Sequence, residues 1–214
     1  MNPAVRAVRY GLLLLGLVGI GWFYFMGSSS PYLPPELAGM MSGSPKELTP
    51  FQLVDQDNKP FTLESLKGQW TMLFFGYAHC PDICPMAMEE IKEAYGIMEK
   101  KSPAAMKNSR VMFVSVDPKR DPPEMLKGYI TYFHKSFLAA TGTEEALAAF
   151  SRQMGAGYRI MPGKTAEDYL VAHTSNFYLI DPRGQYVTYF NPPHDPEAIA
   201  NKWLAIRKAY GEPI

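Results

Sequence analysis

The chain of 214 residues has two cysteines, Cys80 and Cys84, and both fall in one stretch, FFGYAHCPDICPMAMEEI. A proline follows each, Pro81 and Pro85, and an apolar run leads in. Two thiols at this spacing can be a structural disulfide, a redox dithiol or two ligands of a soft metal such as Cu(I) or Zn. A disulfide closing so small a loop gains little chain entropy, so the staple is the weakest of the three. The metal reading needs a further ligand, and the chain has four histidines. His79 precedes Cys80, so in an extended segment it points to the opposite face. His134 stands beside Lys135 on a helical stretch and reads as solvated, and His194 in NPPHDP reads as exposed. His173, in VAHTSNFYLID, stands at the start of an apolar strand, where a ligand and a packing residue look alike.

The elements that must position these sulfurs favour reactive ones. WTMLFFGY is a continuous apolar run of strand length, as a buried central strand requires. After it, PMAMEEIKEAYGIMEKK places Met88, Ile91, Tyr95 and Met98 at helical spacing. A helix running from Pro81 through Pro85 would lose a bond and crowd its preceding turn, so the helix is expected to start near Pro85. The sulfurs then sit on the loop and first turn at a helix N-terminus, where backbone N–H groups and the dipole favour a thiolate. The loop also leaves the C-terminal end of a strand, where open α/β sheets place their sites.

The rest of the chain supplies a conventional frame. FQLVDQDNKPFTL predicts two short strands turning at Asp57-Asn58, and SRVMFVSVD a second buried strand. DPPEMLKGYITYFHKSF predicts a helix with Asp121 as N-cap, Pro122 at N1 and Glu124 at N3. TEEALAAFSRQMG predicts another between Thr143 and Gly155, followed by a hairpin, SNFYLIDPRGQYVTYF, turning at Pro182-Arg183-Gly184, and a closing helix, DPEAIANKWLAIRKAY. This order implies an α/β fold with a central mixed sheet flanked by helices. The formal net charge of zero argues against a nucleic-acid partner.

Ahead of this domain, residues 47–214, the chain changes character. Residues 27–46, rich in Gly, Ser and Pro, read as a linker, whose Met40-Met41 pair is at most a weak soft-metal contact. Residues 1–26 read as a membrane anchor: Tyr10 to Met26 carries no charge and as a helix would reach ~26 Å, near the short end for a bilayer. Trp22, Phe23 and Tyr24 suit the membrane–water interface, and Arg6 and Arg9 predict a cytoplasmic N-terminus. A cleaved signal peptide is disfavoured, because aromatics stand where small residues should begin.

Three stretches, in order, resemble the SCO/SenC family of copper-binding proteins, which serve assembly of cytochrome c oxidase: FGYAHCPDICP, SVDPKRDPPE (Ser115 to Glu124) and HTSNFYLIDPRG, starting at His173. The resemblance implies a thioredoxin-like fold and one copper ion, Cu(I) or Cu(II), held by Cys80, Cys84 and His173. It implies as partners the copper-bearing subunit of the oxidase, other copper chaperones and, through the N-terminal helix, the membrane. Asp117 is expected near the site, supporting it or docking a partner; helix capping suffices to explain Asp121. One departure is Ala172, where many members carry an acidic residue just before the histidine. A Cys₂His set can also hold catalytic zinc; compartment and resemblance favour copper. Two functions remain. One is a chaperone that delivers copper to the dinuclear copper site of the oxidase. The other is a thiol–disulfide oxidoreductase, with Cys80 and Cys84 as its redox pair, that reduces the oxidase subunit before metal loading. A peroxidase fits less well, since it needs a lone attacking cysteine.

The anchor and charge pattern predict a single-pass protein of the bacterial inner membrane with its domain in the periplasm. Protease added to spheroplasts should digest the C-terminal domain; a domain that stays protected would reverse the assignment.

Overall fold

The computed structural model describes residues 43–163, 165 and 168–214. The expected anchor and most of the linker, Met40-Met41 included, lie outside the described residues. Among the described residues no helix is long and apolar enough to cross a membrane.

In chain order the elements are β1 (Lys46–Glu47), β2 (Gln52–Asp55), β3 (Pro60–Thr62), α1 (Leu63–Leu66), β4 (Trp70–Gly76), α2 (Ile83–Lys101), α3 (Pro103–Met106), β5 (Ser109–Ser115), α4 (Pro123–Phe133), β6 (Leu138–Thr141), α5 (Glu144–Gln153), β7 (Tyr158–Met161), β8 (Leu170–His173), β9 (Phe177–Ile180), β10 (Gln185–Phe190) and α6 (Pro196–Ala209). Eight strands form one sheet in the order β1-β10-β9-β4-β5-β6-β2-β3, and β7 and β8 form a separate two-stranded hairpin. The sheet is mixed, as expected: β4 runs parallel to β5 and antiparallel to β9.

β4 is the spine. All seven of its residues are buried, which is what a run without polar alternation requires. Its side chains alternate between two covered faces. Phe74 meets Phe113 and Phe177 on one side, while Phe75 meets Phe150 of α5 and Tyr178 on the other. α2 buries the predicted stripe of Met88, Ile91, Tyr95 and Met98, together with Cys84, Ala87 and Ala94. The turn expected at Pro182-Arg183-Gly184 joins β9 to β10. Asp181 Oδ1 accepts the N–H groups of Arg183 and Gln185, and Gly184 takes a φ of +79° that a side chain would resist.

Two expectations give way. The helix predicted through Phe137 stops at Phe133, and Leu138–Thr141, to which the sequence assigns no element, form β6 beside β5. Pairing with β5 on one side and β2 on the other holds this strand against the helix propensity of its two alanines. VAHTSNFYLID is not one strand with His173 at its start: β8 ends at His173 and β9 begins at Phe177. The histidine therefore sits on the separate hairpin.

At the end of β4, Gly76 leaves no spare room. A Cβ there would lie 2.9 Å from Cys84 Sγ, 2.9 Å from Phe113 and 3.0 Å from Phe74. Gly76→Ala should therefore destabilise the domain by about 1–3 kcal/mol, the usual cost of overpacking a filled core, measured by urea denaturation. Unchanged stability would mean that the core yields around the extra methyl.

Candidate metal centre

Between β4 and α2 the chain turns through the cysteines. α2 begins at Ile83, two residues before the start expected from Pro85. Pro85 thus occupies the third helical position, where the backbone N–H has no intrahelical partner, so its missing donor removes nothing. The first helical bond runs from Met86 N to Asp82 O, at 3.3 Å. Cys84 sits in this first turn and is fully buried; Cys80, on the loop, is half-buried.

His173 comes to the same place from β8. Its Nε2 lies 3.2 Å from Cys84 Sγ, and Cys84 N points at Cys80 Sγ over 3.5 Å. The donor atoms of Cys80, Cys84 and His173 all lie within 4.8 Å of one another, and they are the one such group among the described residues. His173 Nδ1 faces the carbonyl oxygen of Thr174 at 3.3 Å. A carbonyl only accepts, so in the neutral ring Nδ1 carries the proton and Nε2 turns its lone pair toward the sulfurs. The ring is held edge-on against Phe74 and Tyr77. A cleft of about 380 Å³, bordered by Tyr77, Cys80, Ile83, Met161, Leu170 and His173, opens the site to solvent. Two sulfurs and an imidazole nitrogen suit a soft or borderline ion.

The two sulfurs are unequal. A hydrogen bond from the Cys84 thiol, against the opposing cost of burial, lowers the pKa of Cys80 to about 4, with the backbone N–H groups of Asp82 and Cys84 and the Tyr77 hydroxyl adding to the fall. The same bond, with burial, pushes Cys84 far up. The pair therefore gives up its first proton from Cys80, and Cys84 keeps the second, with Cys80 and His173 both at hand as acceptors.

The aspartates divide differently than the sequence suggests. Asp121 does not cap α4: Pro122 is the N-cap residue and makes no side-chain cap bond. Asp121, with no exposed surface, instead accepts from Ala78 N at 2.7 Å and Ser115 Oγ at 2.6 Å, and meets His79 Nδ1 at 3.0 Å. Tying the cysteine loop to β5 satisfies one buried and one half-buried donor, and α4 starts without the cap because Pro122 and Pro123 already fix its first φ angles. Asp117 is buried too; it accepts from Arg120 Nε at 2.5 Å and Tyr169 Oη at 2.7 Å. Ala172 lies on β8 opposite Arg159 of β7.

The remaining histidines stay out of the donor cluster. His134 ends α4 and meets Ser136 Oγ at 2.8 Å. His194, expected to be exposed, is buried: its ring packs tilted against Phe177, centroids 4.5 Å apart, and its Nε2 meets the Ser175 carbonyl oxygen at 2.8 Å. The loop folds back on the sheet, and one imidazole edge satisfies a carbonyl there. Tyr77, Arg120 and Tyr169 were not anticipated. Tyr77 lies inside the quoted cysteine stretch and Arg120 inside SVDPKRDPPE, but no spacing rule singles out Tyr169.

Iodoacetamide at about pH 6 should alkylate Cys80 of the reduced domain and spare Cys84, with a Cys80 rate nearly flat from pH 6 to 8, whereas an ordinary thiol of pKa about 8.5 speeds up across that range. Peptide mass mapping would read both. Equal labelling of the two residues, or a rate climbing with pH, would overturn this asymmetry.

Comparison with known proteins bears on the whole domain. A family model described as SCO1/SenC matches residues 40–207. The mitochondrial protein SCO2 of Saccharomyces cerevisiae is 37% identical over 162 residues, covering 75% of this chain and 53% of the yeast protein, so the chain spans about half that relative's length. An SCO2-like protein of Rickettsia felis is 32% identical over 204 residues, covering 93% of this chain and 97% of its own. Among solved structures, Bradyrhizobium japonicum ScoI with copper bound is 36% identical, with a TM-score of 0.65 over 74% of this chain and 98% of that one. The mixed sheet and its flanking helices are thus the thioredoxin-like fold of these structures, and the chain belongs to the SCO1/SenC family.

Proposed function

We propose that this protein is a membrane-anchored copper chaperone, which holds one copper ion as cargo between Cys80, Cys84 and His173 and delivers it to the dinuclear copper site of cytochrome c oxidase. The observation that carries the reading is the meeting of three soft or borderline donors, within 4.8 Å of one another, in a cleft open to solvent. Support comes from the donor chemistry, since thiolates select Cu(I) and imidazole accepts Cu(II) as well. Copper bound to the B. japonicum relative supports the same ion. Three protein ligands leave a coordination position that a partner's ligand can enter, which a cargo ion needs and a buried structural ion does not. In this role Asp117 supports the site, and the domain faces the periplasm.

A second reading rests on the cysteines alone. A Cys80 thiolate beside the Cys84 thiol is also the reactive end of a thiol–disulfide oxidoreductase, which would reduce the oxidase subunit's cysteines before metal loading. The two readings share the sulfurs and part at the imidazole.

Variants separate them. Cys80→Ser and Cys84→Ser should each remove most copper affinity, because a neutral hydroxyl is a poor ligand for a soft ion. Oxidation to the Cys80–Cys84 disulfide should do the same until the sample is reduced. His173→Ala should weaken binding, measured by anaerobic titration, and impair oxidase assembly in cells about as badly as either cysteine change. His134→Ala is the control; His194→Ala is not, since that ring packs on Phe177. Near-normal oxidase activity in His173→Ala, at normal protein level, would remove delivery and promote the reductase.

A further inference from the structure

His173 is the one donor of the site that the main sheet does not hold. It ends β8, and among the described residues β7 and β8 pair only with each other. Something other than a strand ladder must therefore aim the hairpin at the cysteines. One end is tied at its base. Thr174 N donates to Gly157 O at 2.9 Å, and Gly157 N to Thr174 Oγ1 at 3.0 Å. These bonds join the two strands of the hairpin to each other; from β7, among the described residues, only Tyr158 Oη reaches outward, to the Glu144 carbonyl oxygen at 3.3 Å, and neither contact fixes where β8 points.

The other end of β8 is gripped from outside the hairpin. Arg120, on the turn after β5, donates from its Nη1 to the carbonyl oxygen of Tyr169 at 2.9 Å. Its guanidinium carbon sits over the Tyr169 ring, 3.5 Å from the centroid, and 5.6 Å from the centroid of Tyr77. Asp117 closes the grip: it takes Arg120 Nε at 2.5 Å on one oxygen and Tyr169 Oη at 2.7 Å on the other. The carboxylate cannot shift, because Asp117 is only 3% exposed and its own N–H donates to Ser115 Oγ at 3.1 Å. That burial also leaves it little surface to offer a docking partner.

We propose that Asp117, Arg120 and Tyr169 form a latch that positions His173 over Cys80 and Cys84 by holding the far end of β8 to the turn after β5. The inference rests on the metal-centre reading for its purpose, though the latch itself is a property of the metal-free domain. Tyr169 and His173 are four residues apart, ~13 Å along a strand, so β8 acts as a lever fixed at both ends. With the latch intact the imidazole has one place to be. Without it, the hairpin swings about its base and the third ligand is lost part of the time, while both thiolates stay where α2 and Asp121 put them. These residues touch neither the sulfurs nor the imidazole, so they are positioning residues. Arg is suited to the role because its flat fork can donate in two directions while stacking on a ring, which a lysine cannot do.

Two variants and two readouts test the latch. Tyr169→Phe removes only the hydroxyl, and Arg120→Met keeps the stem and removes the fork. In the reduced, metal-free domain, both should speed amide hydrogen exchange across β7 and β8, Arg120→Met the more, and leave β4 and β5 unchanged. Unchanged exchange in the hairpin would overturn the proposal, as would acceleration spread through the sheet. The second readout is Cu(I) affinity by chelator competition in a double-mutant cycle. Arg120→Met should weaken binding about tenfold in the natural background, the scale of losing a group that orients a ligand, and should cost nothing further in a His173→Ala background. An equal loss in both backgrounds would show that Arg120 does not act through His173. If the unmutated domain takes up no copper, the metal reading falls while the exchange arm still judges the latch.

Discussion

β4 and β5 run side by side and finish together, Gly76 opposite Ser115, and the loops that leave them must be fixed to each other. Asp121 does this. Its carboxylate is wholly buried and takes one N–H from the cysteine loop, at Ala78, and one hydroxyl from the end of β5, at Ser115. Without it the buried Ser115 hydroxyl would lose its acceptor, at a cost of about 1–3 kcal/mol, and the half-buried Ala78 N–H would lose the bond that ties the loop down. The path of Tyr77 to Cys80 is thereby set before α2 begins, and every distance at the sulfurs inherits that path.

Gly76 imposes the matching constraint from below. Because β4 ends without a side chain on that face, Cys84 can descend into the core until its sulfur nearly touches the strand. Cys80 cannot follow and stays half-buried at the cleft. The inequality of the two thiols thus begins as packing and ends as electrostatics. The buried sulfur keeps its proton and donates it, while the outer sulfur, served by that proton and by backbone N–H groups at the start of α2, carries the negative charge. A symmetric placement of the two sulfurs would give neither a distinct nucleophile nor a distinct outward-facing ligand.

Much of this was legible in the residues. The strand WTMLFFG, the stripe on α2, Thr143 as cap, the Gly184 turn and the cysteine loop at a helix start are local matters, decided by periodicity and by the conformational limits of single residues. Misreadings came where tertiary context decides. The helix expected through Phe137 ends at Phe133, and the next residues join the sheet between β5 and β2. Asp121 stands where a cap is expected, yet β5 and the cysteine loop claim its carboxylate. The β7–β8 hairpin has an indistinct signal because its strands are short and mostly exposed, so no clean alternation marks them. Cys80, Cys84 and His173 could be nominated by type, and their order in three quoted stretches strengthened the choice. Their meeting within one cluster needed the fold.

The site therefore has two halves of different mechanical character. Cys80 and Cys84 belong to a strand end, a helix and a buried carboxylate, all continuous with the core. His173 belongs to a hairpin that the sheet does not hold and that side chains from the turn after β5 must restrain. For an ion bound permanently, that division would be a weakness, since the least constrained ligand sets how often the cage opens. For an ion carried as cargo it is an asset. In the proposed role the thiolates would retain the metal if the latch let the imidazole give way, and a partner's ligand could take the vacated position before either sulfur let go. Transfer in that role would begin at His173, the donor on the separate hairpin, and finish at Cys84, the one buried donor of the three.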